Sequence, residues 1–194
     1  FMPDDAVELI VNFWEENKDS SYSGILALDV YKNGQVIGKE LPNKKSTTLS
    51  GYYQNGGQGD KKLIYRTEII NKYPPYPEFE GEKFITEAVV WNRMAADGYM
   101  IRCFDEVIYL IEHQKNGLTD KIHEILVNNP WGYGLWIKEM VEQKNYSWLK
   151  KIKSYYSFYS EMCMYASTGK IAKYVSAGKL EMMLISIVYK LKHG

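Results

Sequence analysis

No helix can run through Tyr73-Pro74-Pro75-Tyr76-Pro77. Each proline lacks an N–H and clashes with the preceding turn, and the residue before it is driven towards extended backbone. The chain must therefore be read in pieces on either side. Upstream, Asp5 and Glu8 are spaced as a capping box, and Val7, Ile10, Val11 and Trp14 recur at helical spacing. A helix is expected almost from the first residue, with Asp4-Asp5 as its cap. The chain opens Phe1-Met2-Pro3 with no Met at position 1, as expected of a segment of a longer chain or of a trimmed natural terminus. Ile25 to Tyr31 reads as a strand, and Asn33-Gly34 as a tight turn into a second short strand. Residues 42–61 read as loop, because four glycines between Gly51 and Gly59 make regular structure costly. Lys62 to Tyr65 suits a buried strand and Thr67 to Lys72 a short helix.

Downstream of the prolines, Phe84, Ala88, Trp91 and Ala95 predict a helix ending at Gly98. Met100 to Phe104 and Val107 to Ile111 read as two strands, and Thr119 to Asn129 as a helix stopped by Pro130. The remainder is helical with breaks. Trp148, Ile152, Tyr155, Tyr159 and Met162 form one apolar stripe. Leu180, Met183, Leu184, Ile187, Val188 and Leu191 form a second. Both stripes are expected to pack on the body or on each other. The elements together predict an α/β chain, with residues 1–118 as one part and 119–194 as a helical C-terminal region.

Apolar residues make up 45% of the 194 and charged residues 25%, a composition that can bury a core. No run approaches the ~20 apolar residues of a spanning helix. Lys plus Arg and Asp plus Glu are both 24, so bulk charge gives no reason to expect a nucleic-acid partner. The distribution is uneven. From residue 144 onward nine lysines face only Glu161 and Glu181. Two cysteines, Cys103 and Cys163, make neither a disulfide framework nor a zinc site; reduced thiols in a cytoplasmic protein are expected.

A family comes into view in the run Tyr65-Arg66-Thr67-Glu68, Tyr73-Pro74 and Glu80-Gly81-Glu82-Lys83-Phe84-Ile85-Thr86-Glu87. It continues through Trp91-Asn92-Arg93-Met94-Ala95, Gly98-Tyr99-Met100-Ile101, Glu106-Val107-Ile108-Tyr109 and Asn116-Gly117-Leu118-Thr119. This order and spacing resembles the second half of bacterial family 2 glycosyltransferases with a GT-A fold, such as those that build capsular and other surface polysaccharides. The resemblance covers roughly residues 1 to 120. It implies a partial GT-A-like mixed sheet flanked by helices. It also implies an inverting transfer of sugar from a nucleotide diphosphate sugar to a glycan or lipid-linked acceptor. The family's nucleotide-binding half ends in an Asp-x-Asp motif that holds Mg²⁺ or Mn²⁺, and this sequence contains no such motif. The chain on its own is therefore expected to bind nucleotide sugars poorly.

Members of the family place a base near the start of a helix, about eleven residues before a Gly-Tyr. Thr86-Glu87 lies eleven residues before Gly98-Tyr99, so the resemblance makes Glu87 the candidate base. Without it, Lys83 and Glu87 read as an exposed i, i+4 helix pair worth about 0.3–0.5 kcal/mol. Glu82, five residues earlier, would point about 140° away on one regular helix. It is a candidate contact for acceptor hydroxyls, or a charge favoured at a helix N-terminus. The resemblance places Arg66 near the donor, with a structural salt bridge as the alternative. It makes His113 a possible metal ligand, with a surface histidine as the alternative. Tyr52 and Tyr53 suit stacking on a sugar ring, or simply belong to a mobile loop. His123 and His193 show no partner pattern.

A non-catalytic sugar-binding or assembly module is the second reading, and a dimerising helical module over residues 119–194 the third. The basic end, interleaved with tyrosines, suggests weak contact with an anionic membrane surface, such as the inner face of the plasma membrane. With the stripes buried, that contact would be electrostatic and lost at high salt.

Overall fold

The computed structural model describes residues 1–18, 20–112, 114–115, 117–144 and 146–193. His113 lies outside them. The chain divides into two compact units, Phe1–Pro74 with Met94–Gln114, and Pro75–Arg93 with Lys115–Gly194.

The first unit is an α/β layer around a four-stranded mixed sheet. Its strands are β1 (Gly24–Tyr31), β2 (Ser46–Thr47), β3 (Lys61–Tyr65) and β4 (Ile101–Ile111), in the spatial order β2-β4-β1-β3. β1 runs parallel to β4 and antiparallel to β3. It is buried from Gly24 to Val30, which explains why Ile25-Leu26-Ala27-Leu28 is continuously apolar rather than alternating. β4 is one strand where the sequence suggests two. Its register against β1 slips where Asp105 and Glu106 intervene, so the acidic pair marks an irregularity rather than a turn. The strand expected after Asn33-Gly34 is only a bridge between Val30 and Val36.

Helix α1 (Ala6–Glu16) packs on this sheet through Ala6, Leu9, Ile10, Phe13 and Trp14. Val7 and Val11, expected on the buried stripe, are exposed. Asp5 makes no side-chain cap bond, because its backbone is already helical (φ −90°, ψ −5°) and not extended as a capping residue needs. The glycine-rich segment is more ordered than a loop. Helix α2 (Leu49–Gln54) starts at Thr48, whose hydroxyl accepts from the Gly51 N–H. Gly38 and Gly59, both at positive φ, bring two backbone runs together; a Cβ on Gly38 would sit 2.6 Å from the Gly59 Cα. The glycines serve close approach here. Helix α3 (Thr67–Ile70) is shorter than expected.

The second unit is helical: α5 (Ile122–Asn128), α6 (Pro130–Val141), α7 (Trp148–Met162), α8 (Thr168–Tyr174) and α9 (Lys179–His193). Its core joins Tyr133, Ile137, Phe158, Met162, Ile171 and Met182. Helix α4 (Ala88–Ala96) runs from this unit into the first. α4 starts four residues later than the Phe84 periodicity suggests. The Lys83 and Phe84 N–H groups are taken by Asn129 Oδ1, at 2.7 and 3.1 Å. Residues 82–86 are not helical, so the helical Lys83–Glu87 pair does not form. Pro130 ends one helix and begins the next as the first residue of α6, where its missing N–H costs nothing.

The two apolar stripes fare differently. On α7 the C-terminal part of the expected stripe, Tyr155, Tyr159 and Met162, is buried together with Phe158, Ile152 is half-buried, and Trp148, expected on the stripe, is exposed. On α9 the stripe expected to pack is the exposed one; Met182, Ile185 and Ser186 on the opposite face are buried. The periodicity is real, but two faces of α9 are apolar, and spacing alone does not say which is covered.

Glu82 lies at the N-terminus of α6, accepting from the Trp131 and Gly132 N–H groups at 2.7 and 2.8 Å. Removing that acceptor leaves two first-turn donors without a protein partner, so Glu82→Ala is expected to cost about 1–3 kcal/mol in urea unfolding. Glu82→Gln, which keeps one acceptor oxygen, should cost less. A loss under about 0.5 kcal/mol for Glu82→Ala would show that solvent serves those donors equally well.

Candidate functional site

In the helical unit the candidate base sits on a fixed segment. Thr86 Oγ1 accepts from the Ala88 N–H at 3.3 Å and so starts α4. Glu87 precedes the first residue of α4 and is exposed. Its carbonyl accepts from the Val90 N–H and, at 3.4 Å, from the Tyr76 hydroxyl. The proline-rich run thus lays a tyrosine against the backbone of Glu87. Upstream, Glu82 and Asn129 hold the segment as described. Downstream, Arg93 forms a bidentate pair with Glu139, with contacts of 2.7 to 3.1 Å. Both partners are about four-fifths buried, at 25% and 18% exposure, so this pair is worth more than a solvated one. The Glu87 carboxylate is left open to solvent on a segment whose two ends are anchored, an arrangement suited to accepting a proton from a bound hydroxyl.

Glu82 is not free in the same way. Both its carboxylate oxygens are engaged by α6 amides, so the helix-terminus alternative describes it, though the helix is α6 and not its own.

The first unit holds Tyr52, Tyr53 and Arg66. Tyr52 is buried; its ring lies beneath Gly57, where a Cβ would come within 2.5 Å, and its hydroxyl donates to the Gln58 carbonyl at 3.2 Å. Tyr53 packs edge-on against Tyr52 and keeps an exposed ring. A concavity of about 340 Å³ opens beside Tyr52, lined also by Lys39, Glu40, Lys44, Thr47 and Asn55. Arg66 stacks on Trp14 at 4.3 Å, reaches the Asn17 and Ser20 carbonyls, and lies 3.6 Å from Glu68. These contacts are those of a structural arginine, including the salt bridge held open as the alternative.

One group escaped the sequence reading. Asp29 lies on β1, 4% exposed, and its Oδ1 has no hydrogen-bond partner among the described residues. Burial pushes its carboxyl up to about 6, against the pull of Lys62 and Lys61 and with a further push from Asp60. Burial, with smaller pushes from Asp60, Tyr52 and Asp29, holds the Tyr53 hydroxyl up at about 12. Lys61 is itself buried; its Nζ donates to the Ile37 carbonyl at 2.6 Å, and burial lowers its pKa. The signal was a single acid inside an apolar strand, Leu28-Asp29-Val30, a place where carboxylates are rare. A carboxyl titrating near neutrality can exchange a proton at working pH.

The histidines without a pattern found partners at long range: His123 Nδ1 lies 3.3 Å from Glu161, and His193 Nε2 lies 3.2 Å from the Tyr156 hydroxyl. Cys103 and Cys163 are free thiols, the first buried and the second half-buried. Among the described residues no three His, Cys, Asp or Glu side chains group so as to hold a metal ion. The residues described do not fit a cation site. No described helix is long and apolar enough to cross a membrane. No protein-family model, no curated protein and no solved structure matches the chain.

Asp29 yields a pH test. With its folded value near 6 and its ordinary value 3.8, the folded state binds the proton more tightly. Its penalty is absent below pH 3.8, grows between 3.8 and about 6, and is complete above that. Asp29→Asn should therefore raise stability at pH 8 by at most about 3 kcal/mol, and the gain should vanish by about pH 3.5. Urea midpoints at the two pH values measure it. A loss of stability at pH 8 would mean that Lys61 and Lys62 more than offset the burial.

Proposed function

We propose that the chain supplies the acceptor-side, base-bearing part of an inverting glycosyltransferase of surface polysaccharide synthesis, related to the GT-A enzymes of family 2. The observation that carries the proposal is Glu87: an exposed carboxylate at the start of α4, on a segment anchored by Glu82, Asn129 and the Arg93–Glu139 pair. The resemblance assigns the base to that same residue. In the proposed step the Glu87 carboxylate takes the proton of an acceptor hydroxyl. That oxygen attacks the anomeric carbon of the donor, the bond to the nucleotide diphosphate breaks, and the configuration inverts. The Mg²⁺ or Mn²⁺ that the resemblance implies would be held by an Asp-x-Asp that this sequence does not contain, so the residues of this chain are assigned the base and the acceptor side alone. The mixed α/β sheet is compatible with a partial GT-A domain. The acceptor would be a glycan or lipid-linked sugar, handled at the cytoplasmic face of the membrane.

A sugar-binding module without catalysis is the second reading, favoured by the Tyr52 concavity. Glu87→Gln separates the two. In an enzyme carrying this chain together with a nucleotide-binding half, the substitution keeps the shape and removes the base. Turnover on the acceptor should fall about 10²–10⁴-fold, with nucleotide binding unchanged. Near-normal turnover would assign the base to another carboxylate; retained acceptor binding with no turnover in either protein would favour the module.

A further inference from the structure

We propose that the exposed face of α9 docks on an anionic lipid surface. The proposal does not depend on the glycosyltransferase reading. Six apolar side chains of α9 face solvent: Leu180, Met183, Leu184, Ile187, Val188 and Leu191, with Leu180 and Leu191 76% and 83% exposed. At 100° per residue they fill one arc of about 140°. The opposite face, Met182, Ile185 and Tyr189, packs into the helical core, so the helix is held in place with this arc outward. A contiguous apolar face of this size marks an interaction site.

Charge decides the occupant. Lys179 and Lys190 border one edge of the arc and Lys192 the other, all exposed. Glu181, the only acid on α9, lies 3.7 Å from Lys151, and so does not offset them. That contact also sets the first turn of α9 beside the first turn of α7, where Trp148 and Leu149 are 70% and 64% exposed among Lys150 and Lys153. An isologous contact with a second copy would bring these basic rims against each other. An anionic bilayer offers the reverse: acyl chains for the arc, headgroups for lysines that reach up from its edges, and a boundary suited to Trp148. Because the arc is exposed, attachment has an apolar part that salt does not screen, contrary to the shallow contact expected from sequence.

Co-sedimentation of the chain with vesicles of phosphatidylcholine containing about 30% phosphatidylglycerol tests this. Binding is expected at about 0.1 M salt and, weaker but measurable, at about 0.5 M. Leu184→Ser with Ile187→Ser, both at exposed positions and checked for fold by circular dichroism, should lower partitioning at least about tenfold at both salts. Lys179→Gln with Lys190→Gln should lower it about tenfold at low salt and little at high salt. Absence of binding at low salt, equal binding to pure phosphatidylcholine, or binding untouched by the serine pair would each overturn the proposal. So would a dimer in sedimentation equilibrium that the serine pair dissociates while vesicles bind nothing; that result assigns the face to a second copy.

Discussion

The start of α6 is the constraint on which the helical unit is built. A helix begins with amides that have no partner within it. Here every one has an answer: Pro130 has none to satisfy, Trp131 and Gly132 donate to Glu82, and Tyr133 donates to the Asn129 carbonyl. The Asn129 side chain works in the other direction. It accepts from Lys83 and Phe84 and donates to the Ile125 carbonyl at 2.7 Å. Two side chains thus satisfy four backbone donors from two stretches of chain. The fit needs close approach. A Cβ on Gly132 would stand 2.8 Å from the Phe84 carbonyl oxygen, and one on Gly134 2.4 Å from that of Tyr174. The packing of Trp131 against Phe79 and Tyr174 follows from the same placement.

That junction fixes the stretch that leads into α4. The amides of residues 83 and 84 are held by Asn129, residues 82–86 are not helical, and the Thr86 and Glu87 carbonyls accept the first turn bonds, from Val89 and Val90, so Glu87 falls at the entrance of the helix instead of within its first turns. The Arg93–Glu139 fork then ties α4 back to α6. Around Glu87 the local backbone is fixed by neighbours, and the side chain is left open to solvent. Asp29 shows the contrary arrangement, a carboxyl whose position in β1 denies it solvent and raises its proton affinity.

Local patterns were legible and distant ones were not. The strand at residues 25–31, the strand before Arg66, the proline break and the α7 stripe from Tyr155 to Met162, though not Trp148, follow from periodicity and backbone chemistry that act over a few residues. Glu82 could be read only against its own neighbours, whereas its partners are 49 and 50 residues away. The glycines at 51–59 signalled freedom in the sequence, yet in the fold they permit contact between backbones, which composition cannot distinguish. On α9 the spacing identified an apolar face correctly and its burial wrongly, because Met182, Ile185 and Tyr189 compete for the same core. The lone acid in β1 was visible but carried no spacing to draw attention to it. Among the candidate site residues, Glu87 and Tyr53 keep accessible side chains, while Glu82, Arg66 and Tyr52 are engaged in structure.

Amide hydrogen exchange at Trp131 and Gly132 tests the α6 junction most directly, because first-turn amides have no intrahelical partner and ordinarily exchange fast. If Glu82 anchors the segment that presents Glu87, both amides should exchange as slowly as those in the middle of α6, along with Lys83 and Phe84, and all four should lose protection together in Glu82→Ala. Exchange of Trp131 and Gly132 at the rate of an unstructured peptide, in the unaltered protein, would contradict the account.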